Sequence, residues 1–340
     1  MKIKNIFFAA AAAMALTACS SDDAIETVQQ QSQFPEDGVI RFTTNLNDAA
    51  DAETRASITS SDVNQNGQQF QVKIDNPNSA TYSYFNTVQF DGTEWRPVNR
   101  MLWQNDQQSI TVTAAYKQGK TFSDNEFVGG VALTVAADQS TEAKLKQQDL
   151  LTMPTKTIAN PSIEQTLLQN GKLVINFYHA LAKLDVTLDL ANEFYKVDPK
   201  LNKATDITDV KISGTNAGYN FQPMQTANEN YGTVTATTST AADILPSQYE
   251  FTAGTAESKH SMAKYEAIVV PQTIAVGALT VSFKIGTRSF SWTNTVAYTL
   301  EQGKQYTLPL TVGNDGVTAP ARAFTASSWE DQPGDNLGTE

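Results

Sequence analysis

The alternation of apolar and polar side chains is clearest near the middle of the chain, in residues 172–190. Apolar side chains recur there at every second position, as in a strand with one buried face. Two sets of opposite parity follow each other, first Leu173, Ile175 and Phe177, then Leu184, Val186, Leu188 and Leu190. A single flat strand cannot bury both sets, so we expect a bulge or corner within residues 180–183.

Short runs with the same alternation occur along most of the chain. They include residues 39–44, 70–74, 110–114, 131–135, 279–285 and 306–312. No segment shows a long apolar stripe of helical period, and many short strands predict antiparallel β-sandwiches. Because 340 residues exceed one typical sandwich, we predict an all-β fold with an N-terminal domain at 37–170 and a C-terminal domain at 171–340.

The first residues have the pattern of a targeting segment. Lys2 and Lys4 precede an apolar stretch, residues 6–15, which is too short for a permanent membrane helix. Leu-Thr-Ala-Cys at 16–19 matches the bacterial lipobox, in which the cysteine receives a diacylglyceryl group and a further acyl chain such as palmitate. We therefore expect a lipoprotein signal peptide at 1–18 and a lipid anchor on Cys19. The alternative is an ordinary secretory signal followed by an unrelated cysteine.

Residues 19–36 are polar and acidic, and they predict a flexible tether. Their Ser20-Ser21-Asp22-Asp23 start resembles the surface-export signal of Bacteroides-type lipoproteins, and a plain solvated linker is the alternative. Cys19 is the sole cysteine, so the chain cannot form an internal disulfide. No second apolar run has the length of a membrane span.

The charge balance and the scarcity of motifs narrow the function. Lys and Arg number 24 against 36 Asp and Glu, a net charge of −12, which argues against nucleic-acid binding. His179 and His260 lie far apart, and the sequence has no zinc motif, nucleophile elbow, phosphate loop or dinucleotide fingerprint. We predict no cofactor and no enzyme activity, although the sequence does not exclude a catalytic pair of carboxylates. His179 is predicted to be a half-buried strand histidine satisfied by hydrogen bonds.

Two other patterns have both a structural and a functional interpretation. Residues 62–67 copy the first half of a calcium loop, but Lys73 stands where such a loop needs a bidentate glutamate, and an Asn-Gly turn explains the pattern as well. Tyr82, Tyr84, Trp95 and Trp103 are candidates for a sugar-stacking platform, or for ordinary core packing.

A set of short motifs follows one order over nearly the whole chain. It comprises the lipobox, Thr54-Arg55-Ala56, Trp103 followed by residues 110–116, Asp149-Leu150-Leu151, residues 177–184, 267–273 and 303–306, and Trp329-Glu330-Asp331. Together they resemble the fimbrillin-like lipoproteins of the Bacteroidales pilus families. Lys117 departs from the pattern, since many relatives carry proline after the tyrosine.

The resemblance implies two tandem transthyretin-like sandwiches in a lipoprotein of the outer membrane surface that is assembled into a fimbria. In such pilins an arginine-specific protease removes the first strand, and a neighbouring subunit donates a strand to the open groove. The matching bond here is Arg55–Ala56, whose cleavage would remove the strand that contains Val39, Ile40 and Phe42. Arg41 is a competing site, and Arg55 as a plain loop arginine is the alternative.

The resemblance leaves the subunit's role open between stalk, tip and anchor. A possible donor strand lies at 321–329 with Phe324 and Trp329, although this run fits the last strand of the second sandwich equally well. Expected partners are other pilin subunits, identical or different, the outer membrane through the lipid, and a host or glycan ligand. The alternative function is a surface lipoprotein that binds glycan or host ligand and never polymerises.

Overall fold

The computed structural model describes residues 32–46, 58–197, 200–226, 232–237, 243–320 and 323–329. The expected signal peptide, the lipidation site Cys19 and the processing site Arg55–Ala56 lie outside the described residues. Strands dominate the described chain, which confirms the predicted all-β class. No helix in the described part is long and apolar enough to cross a membrane.

The first half of the chain contributes nine strands and three short helices in its described part. The strands are β1 (Phe42–Leu46), β2 (Gln69–Asp75), β3 (Tyr84–Phe90), β4 (Trp95–Pro97), β5 (Ile110–Tyr116), β6 (Val131–Thr134), β7 (Leu151–Ile158), β8 (Leu168–Gln169) and β9 (Lys172–His179). The helices are α1 (Ser60–Val63), α2 (Asp124–Gly129) and α3 (Glu142–Lys146), and a 3₁₀ turn covers Ala80–Tyr82.

The second half continues in the same style. Its strands are β10 (Ala182–Leu190), β11 (Ile207–Ser213), β12 (Gly218–Thr226), β13 (Gly232–Ala236), β14 (Ser247–Thr252), β15 (Ser261–Val269), β16 (Gln272–Ile274), β17 (Thr280–Ile285), β18 (Arg288–Thr293), β19 (Tyr298–Leu300), β20 (Lys304–Gly313), β21 (Gly316–Thr318) and β22 (Thr325–Ser328). Helix α4 covers Asn192–Lys196, and a second 3₁₀ turn covers Ala204–Asp206.

The first sheet closes on itself. Its strand order is β1-β4-β3-β2-β5-β7-β9-β8, and β1 pairs with β9 as well as with β4. Alternating side chains of these strands form one buried cluster inside the ring, which contains Phe42, Phe70, Val72, Leu173 and Phe177. Because β1 and β9 pair with each other, neither strand presents an unpaired edge at the point of closure, as in a barrel.

A second sheet and a facing three-stranded sheet enclose the second core. The order of the larger sheet is β14-β15-β10-β20-β21, with β22 also paired to β20, and the smaller one is β11-β17-β18. Strand β10 lies between β15, which is antiparallel, and β20, which is parallel. Its alternating residues Leu184, Val186, Leu188 and Leu190 are all buried in this core.

A third buried cluster joins elements from both halves of the chain. The small sheet β13-β12-β6 contributes Tyr219 and Phe221, and helices α2 and α3 contribute Phe127 and Leu145. Ile268 of β15 lies in the same cluster. Apolar packing therefore continues between the two larger cores.

The predicted corner within 180–183 is confirmed. Strand β9 belongs to the first sheet and β10 to the second, and two backbone hydrogen bonds hold the residues between them. The Ala180 N–H donates to the Leu150 carbonyl at 2.8 Å, and the Leu181 carbonyl accepts from the Gly303 N–H at 2.9 Å. The change of sheet thus comes after His179, later than the predicted domain border after Asn170. The division into two domains stays a prediction.

Candidate functional site

Strand β1 is bound on both sides along the edge that closes the first sheet. Its five residues pair in parallel with β9, from Phe42 opposite Leu173 to Leu46 opposite Phe177. On the other side Phe42 pairs with Trp95 of β4. The residues just before β1 are paired too, since the Ile40 N–H donates to the Met101 carbonyl at 3.0 Å. The strand is therefore an integral part of the closed sheet.

The side chains of this segment contribute to the core. Ile40 and Phe42 are 2% and 1% exposed, and Val39 is half-buried. The Phe42 ring meets the Phe70 ring edge-on at 6.0 Å between centroids, and Phe70 in turn meets Phe177 at 5.5 Å. Burying two such side chains stabilises the fold by about 3–6 kcal/mol. Removal of β1 would leave a slot with an apolar lining.

A hydrogen-bond cluster of three residues joins β1 to the chain on the far side of residues 47–57. The indole N–H of Trp95 donates to the Asn64 Oδ1 at 2.8 Å and to the Thr44 Oγ1 at 3.1 Å. The Thr44 hydroxyl donates to the same Asn64 oxygen at 3.0 Å. We call Thr44, Asn64 and Trp95 the Trp95 cluster. It connects the middle of β1 with the end of α1, independently of the intervening residues.

Arg41, the competing processing site, lies directly before β1. Its guanidinium forms a bidentate ion pair with Asp37 at 2.5 and 2.9 Å, and this hydrogen bonding lowers the pKa of the Asp37 carboxyl. The Arg41 carbonyl accepts from the Leu173 N–H at 2.7 Å. Paired backbone of this kind is a poor protease substrate, because cleavage requires local unfolding.

The candidate donor strand β22 lies at an edge of the second sheet. It pairs antiparallel with β20, from Thr325 opposite Thr307 to Ser328 opposite Lys304. Phe324, directly before it, packs edge-on against Tyr298 at 4.5 Å between centroids and lies against the second core. The strand is thus fixed in its own subunit by pairing and by an aromatic side chain at one end.

Trp329 fixes the other end of β22. It is 3% exposed, and its ring stacks on the His179 ring at 4.2 Å with an interplanar angle of 5°. The Lys183 Nζ lies 5.2 Å from the centroid of the Trp329 ring, a cation–π distance. The backbone N–H of Trp329 donates to the Gly303 carbonyl at 2.9 Å. Phe324 and Trp329 therefore lie in two different cores at opposite ends of one short strand.

His179 is buried more deeply than the sequence predicts. It is almost fully buried at the end of β9, and its Nδ1 lies 2.8 Å from the Asp149 Oδ2, which confirms the hydrogen-bonded role. Asp149 is buried as well. Among the described residues, no group of three or more His, Cys, Asp or Glu side chains could hold a metal ion.

The calcium-loop pattern at 62–67 has a structural role. Asp62 forms a capping box with Thr59 at the start of α1, and its Oδ1 binds the Lys146 ammonium at 2.9 Å. Asn64 caps the C-terminus of that helix and belongs to the Trp95 cluster. Gly67 has a φ of 88°, which the turn into β2 requires. This agrees with the turn interpretation.

The four aromatic residues proposed as a sugar platform do not lie together on the surface. Trp95 and Trp103 are buried in the first core, where Trp95 packs against Phe70 at 4.9 Å. Tyr84 is half-buried, and its hydroxyl donates to the Leu102 carbonyl at 3.2 Å. Core packing therefore explains the set, except for the half-buried Tyr82.

Comparison with known proteins places the chain in a family. The model of the fimbrillin-like family matches residues 54–329. The chain belongs to the fimbrillin-like family. Family membership confirms the resemblance inferred from the ordered motifs, and it supports a fimbrial or adhesive role at the cell surface. A search of curated proteins gives no match.

Solved structures share the fimbrillin-like fold. A protein from Bacteroides uniformis, provisionally described as a cell adhesion protein, is 17% identical with a TM-score of 0.54, and the match covers 87% of this chain and 99% of the other. A protein from Bacteroides ovatus with the same provisional description is 18% identical with a TM-score of 0.56, over 85% and 96% of the two chains. At these identities the likeness concerns the fold alone.

Proposed function

We propose that this fimbrillin-like chain is a structural or adhesive subunit of a cell-surface fimbria, assembled by protease-triggered strand exchange. The observation that supports the proposal is the position of β1, which closes the first sheet and lies next to the segment that contains Arg55. Cleavage of the Arg55–Ala56 bond would separate Val39, Ile40 and Phe42, together with Cys19, from the rest of the chain.

Loss of β1 creates a binding site for an extended strand. It leaves unpaired backbone groups on β9 along Leu173–Phe177 and a slot beside Phe70. An extended segment with alternating apolar side chains satisfies both, by main-chain hydrogen bonds and by burial. The partner is therefore a strand of another subunit, identical or different.

The candidate donor strand is β22, which lies between Phe324 and Trp329. Its exchange requires both aromatic side chains to leave their present positions. A subunit that keeps β22 in place is an acceptor only. In this proposal Cys19 carries the lipid that delivers the precursor to the outer membrane, and an uncut subunit remains there as an anchor.

The deciding experiment is mass spectrometry of the N-terminus of protein isolated from the native cell surface. A terminus at Ala56 that disappears in an Arg55→Ala variant supports cleavage at this bond. An Arg41→Ala variant is the matched control, because cleavage at Arg55 should continue in it. A uniform acylated Cys19 terminus would refute processing and leave the anchor, an uncut tip or a non-polymerising binder.

A further inference from the structure

The turn after β5 borders a polar pocket that the strand-exchange proposal does not use. Lys117 and Lys120 face each other across this turn as an antiparallel bridge, and Gly119 has a φ of 75°. The pocket has a volume of about 250 Å³ and is open to solvent. Its lining consists of residues 67–69 at the start of β2 and residues 116–121.

Lys117 has the properties of a reactive amine in this pocket. Its side chain is half-buried, and its Nζ donates to the Gln147 carbonyl. Burial lowers the pKa of the ammonium group to about 8, and the negative charge of Asp149 opposes part of this effect. Much of the amine is therefore neutral in mildly alkaline solution, whereas an ordinary lysine is almost fully protonated there.

The other charged and titratable groups around the turn are occupied. The Lys120 Nζ binds the Glu126 carboxylate at 2.6 Å and lies 5.4 Å from the Phe122 ring centroid. The Tyr116 hydroxyl donates to the Gln68 Oε1 at 2.8 Å, and burial raises its pKa, so that it stays neutral. Asp149 lies against His179 and away from solvent. Lys117 is thus the group that supplies a nucleophile here.

We propose that Lys117 captures small polyhydroxylated aldehydes, such as the open-chain form of reducing sugars, as an imine. The lone pair of the neutral amine forms a bond to the carbonyl carbon while the C=O π electrons move to the oxygen, and one amine proton moves to that oxygen to give a carbinolamine. Loss of the hydroxyl group with the remaining amine proton as water then leaves the C=N bond. The step releases one water per imine and needs no oxidant or reductant. One amine hydrogen can keep its bond to the Gln147 carbonyl in the carbinolamine.

The lining of the pocket selects the ligand class. Gln68, Gln69 and Gln118 supply amide groups that donate and accept hydrogen bonds, and Thr121 supplies a hydroxyl. Sugar hydroxyls need such paired donors and acceptors, whereas an apolar aldehyde gains little from them. A lysine amine whose pKa is lowered by burial is an activated nucleophile.

The test is reductive trapping on the purified folded protein. The protein is incubated with glyceraldehyde and cyanoborohydride at pH 8, digested, and each lysine is scored by mass spectrometry. We expect the rate at Lys117 to exceed that at the exposed Lys259 by roughly tenfold or more, with a pH midpoint near 8. A rate at Lys117 equal to or below that at Lys259 overturns the proposal.

Two variants and a second reagent separate sugar capture from amine reactivity. Lys120→Arg should leave the rate at Lys117 unchanged, and Gln118→Leu should reduce its reaction with glyceraldehyde. Trinitrobenzenesulfonate, which needs no hydroxyl recognition, should still label Lys117 in the Gln118→Leu variant. Fast labelling by this reagent alone, with no preference for Lys117 by glyceraldehyde, would refute the sugar-binding pocket. These outcomes do not depend on whether Arg55 is cleaved.

Discussion

Phe42 lies directly beside Leu173, and this pair starts the parallel ladder that closes the first sheet. Four more residue pairs follow it on this side of β1, while a single pair with Trp95 connects the other side. Strand β1 is thus held mainly by β9, a strand far away in the sequence.

Truncation of Phe42 should weaken the whole fold. Because its ring is buried against Phe70, Phe42→Ala is expected to lower the free energy of unfolding by about 3–5 kcal/mol in urea titration of the uncut protein. Asn45→Ala, on an exposed position of the same strand, should change it by less than about 0.5 kcal/mol. A loss of under about 1 kcal/mol for Phe42→Ala would mean that β1 contributes little to stability.

Cleavage at Arg55 alone should leave β1 bound. Pairing with β9, the burial of Ile40 and Phe42, and the Trp95 cluster all persist when the bond is cut. After digestion with an arginine-specific protease, the N-terminal fragment should co-elute with the main body in gel filtration and separate only in denaturant. The Arg55→Ala protein is the control, because any fragment that it yields comes from cleavage at another bond. Immediate loss of the fragment under native conditions would contradict this expectation.

The Trp95 cluster should control how fast the cut strand leaves. Asn64→Ala removes the oxygen shared by Thr44 and Trp95, and loss of such partly exposed hydrogen bonds costs about 0.5–1.5 kcal/mol. We expect the N-terminal fragment of the cut protein to dissociate roughly 5-fold faster or more in this variant. Gel filtration at successive times after cleavage measures the rate of its release. Gln89→Ala, exposed on β3, is the control and should have no effect.

Trp329 should contribute more to stability than its terminal position suggests. Trp329→Ala is expected to cost about 3–5 kcal/mol, because it leaves a cavity beside His179 and Lys183. Trp329→Phe should cost less, since it keeps an aromatic ring in the stack. Ala326→Ser on exposed β22 is the control, and thermal unfolding of the three variants provides the comparison. Equal melting temperatures for all three would exclude a stabilising role.

Lys117 should make stability depend on pH in alkaline solution. Its pKa is about 8 in the folded chain and near the ordinary value of 10.5 in the unfolded chain, so the unfolded state binds more protons between these values. Stability relative to a Lys117→Gln variant should therefore rise as the pH increases from 8 to 10. Urea titrations of both proteins across this range measure the difference. A flat difference would mean that the ammonium is solvated like an ordinary lysine.

Local alternation explains why much of the fold could be predicted. The opposite parity of Leu173–Phe177 and Leu184–Leu190 required a corner, and the structure places a change of sheet there. Nothing in the same run indicates that β9 pairs with β1, because a parallel pairing between distant strands leaves no local pattern. The Trp95 cluster and the Trp329–His179 stack are non-local for the same reason.

His179 shows the limit of predicting burial from one strand. Its neighbours in sequence suggest a position between core and surface, whereas Trp329 covers the ring from the end of the chain. For the aromatic set, alternation with polar residues favours core packing, and the structure buries Trp95 and Trp103. For such residues the answer depends on contacts with strands that lie far away in sequence.

The closure of the first sheet also fixes an order of folding. During synthesis, which proceeds from the N-terminus, the chain can pair β2, β3 and β4 early, since they are neighbours in sequence and in the sheet. The Phe42–Leu173 contact cannot form until β9 has emerged, so β1 waits without its main partner until about half of the chain has been made. A chaperone that binds extended apolar segments would find β1 available during that interval. This late seam of the first sheet is then the same one that strand exchange would open.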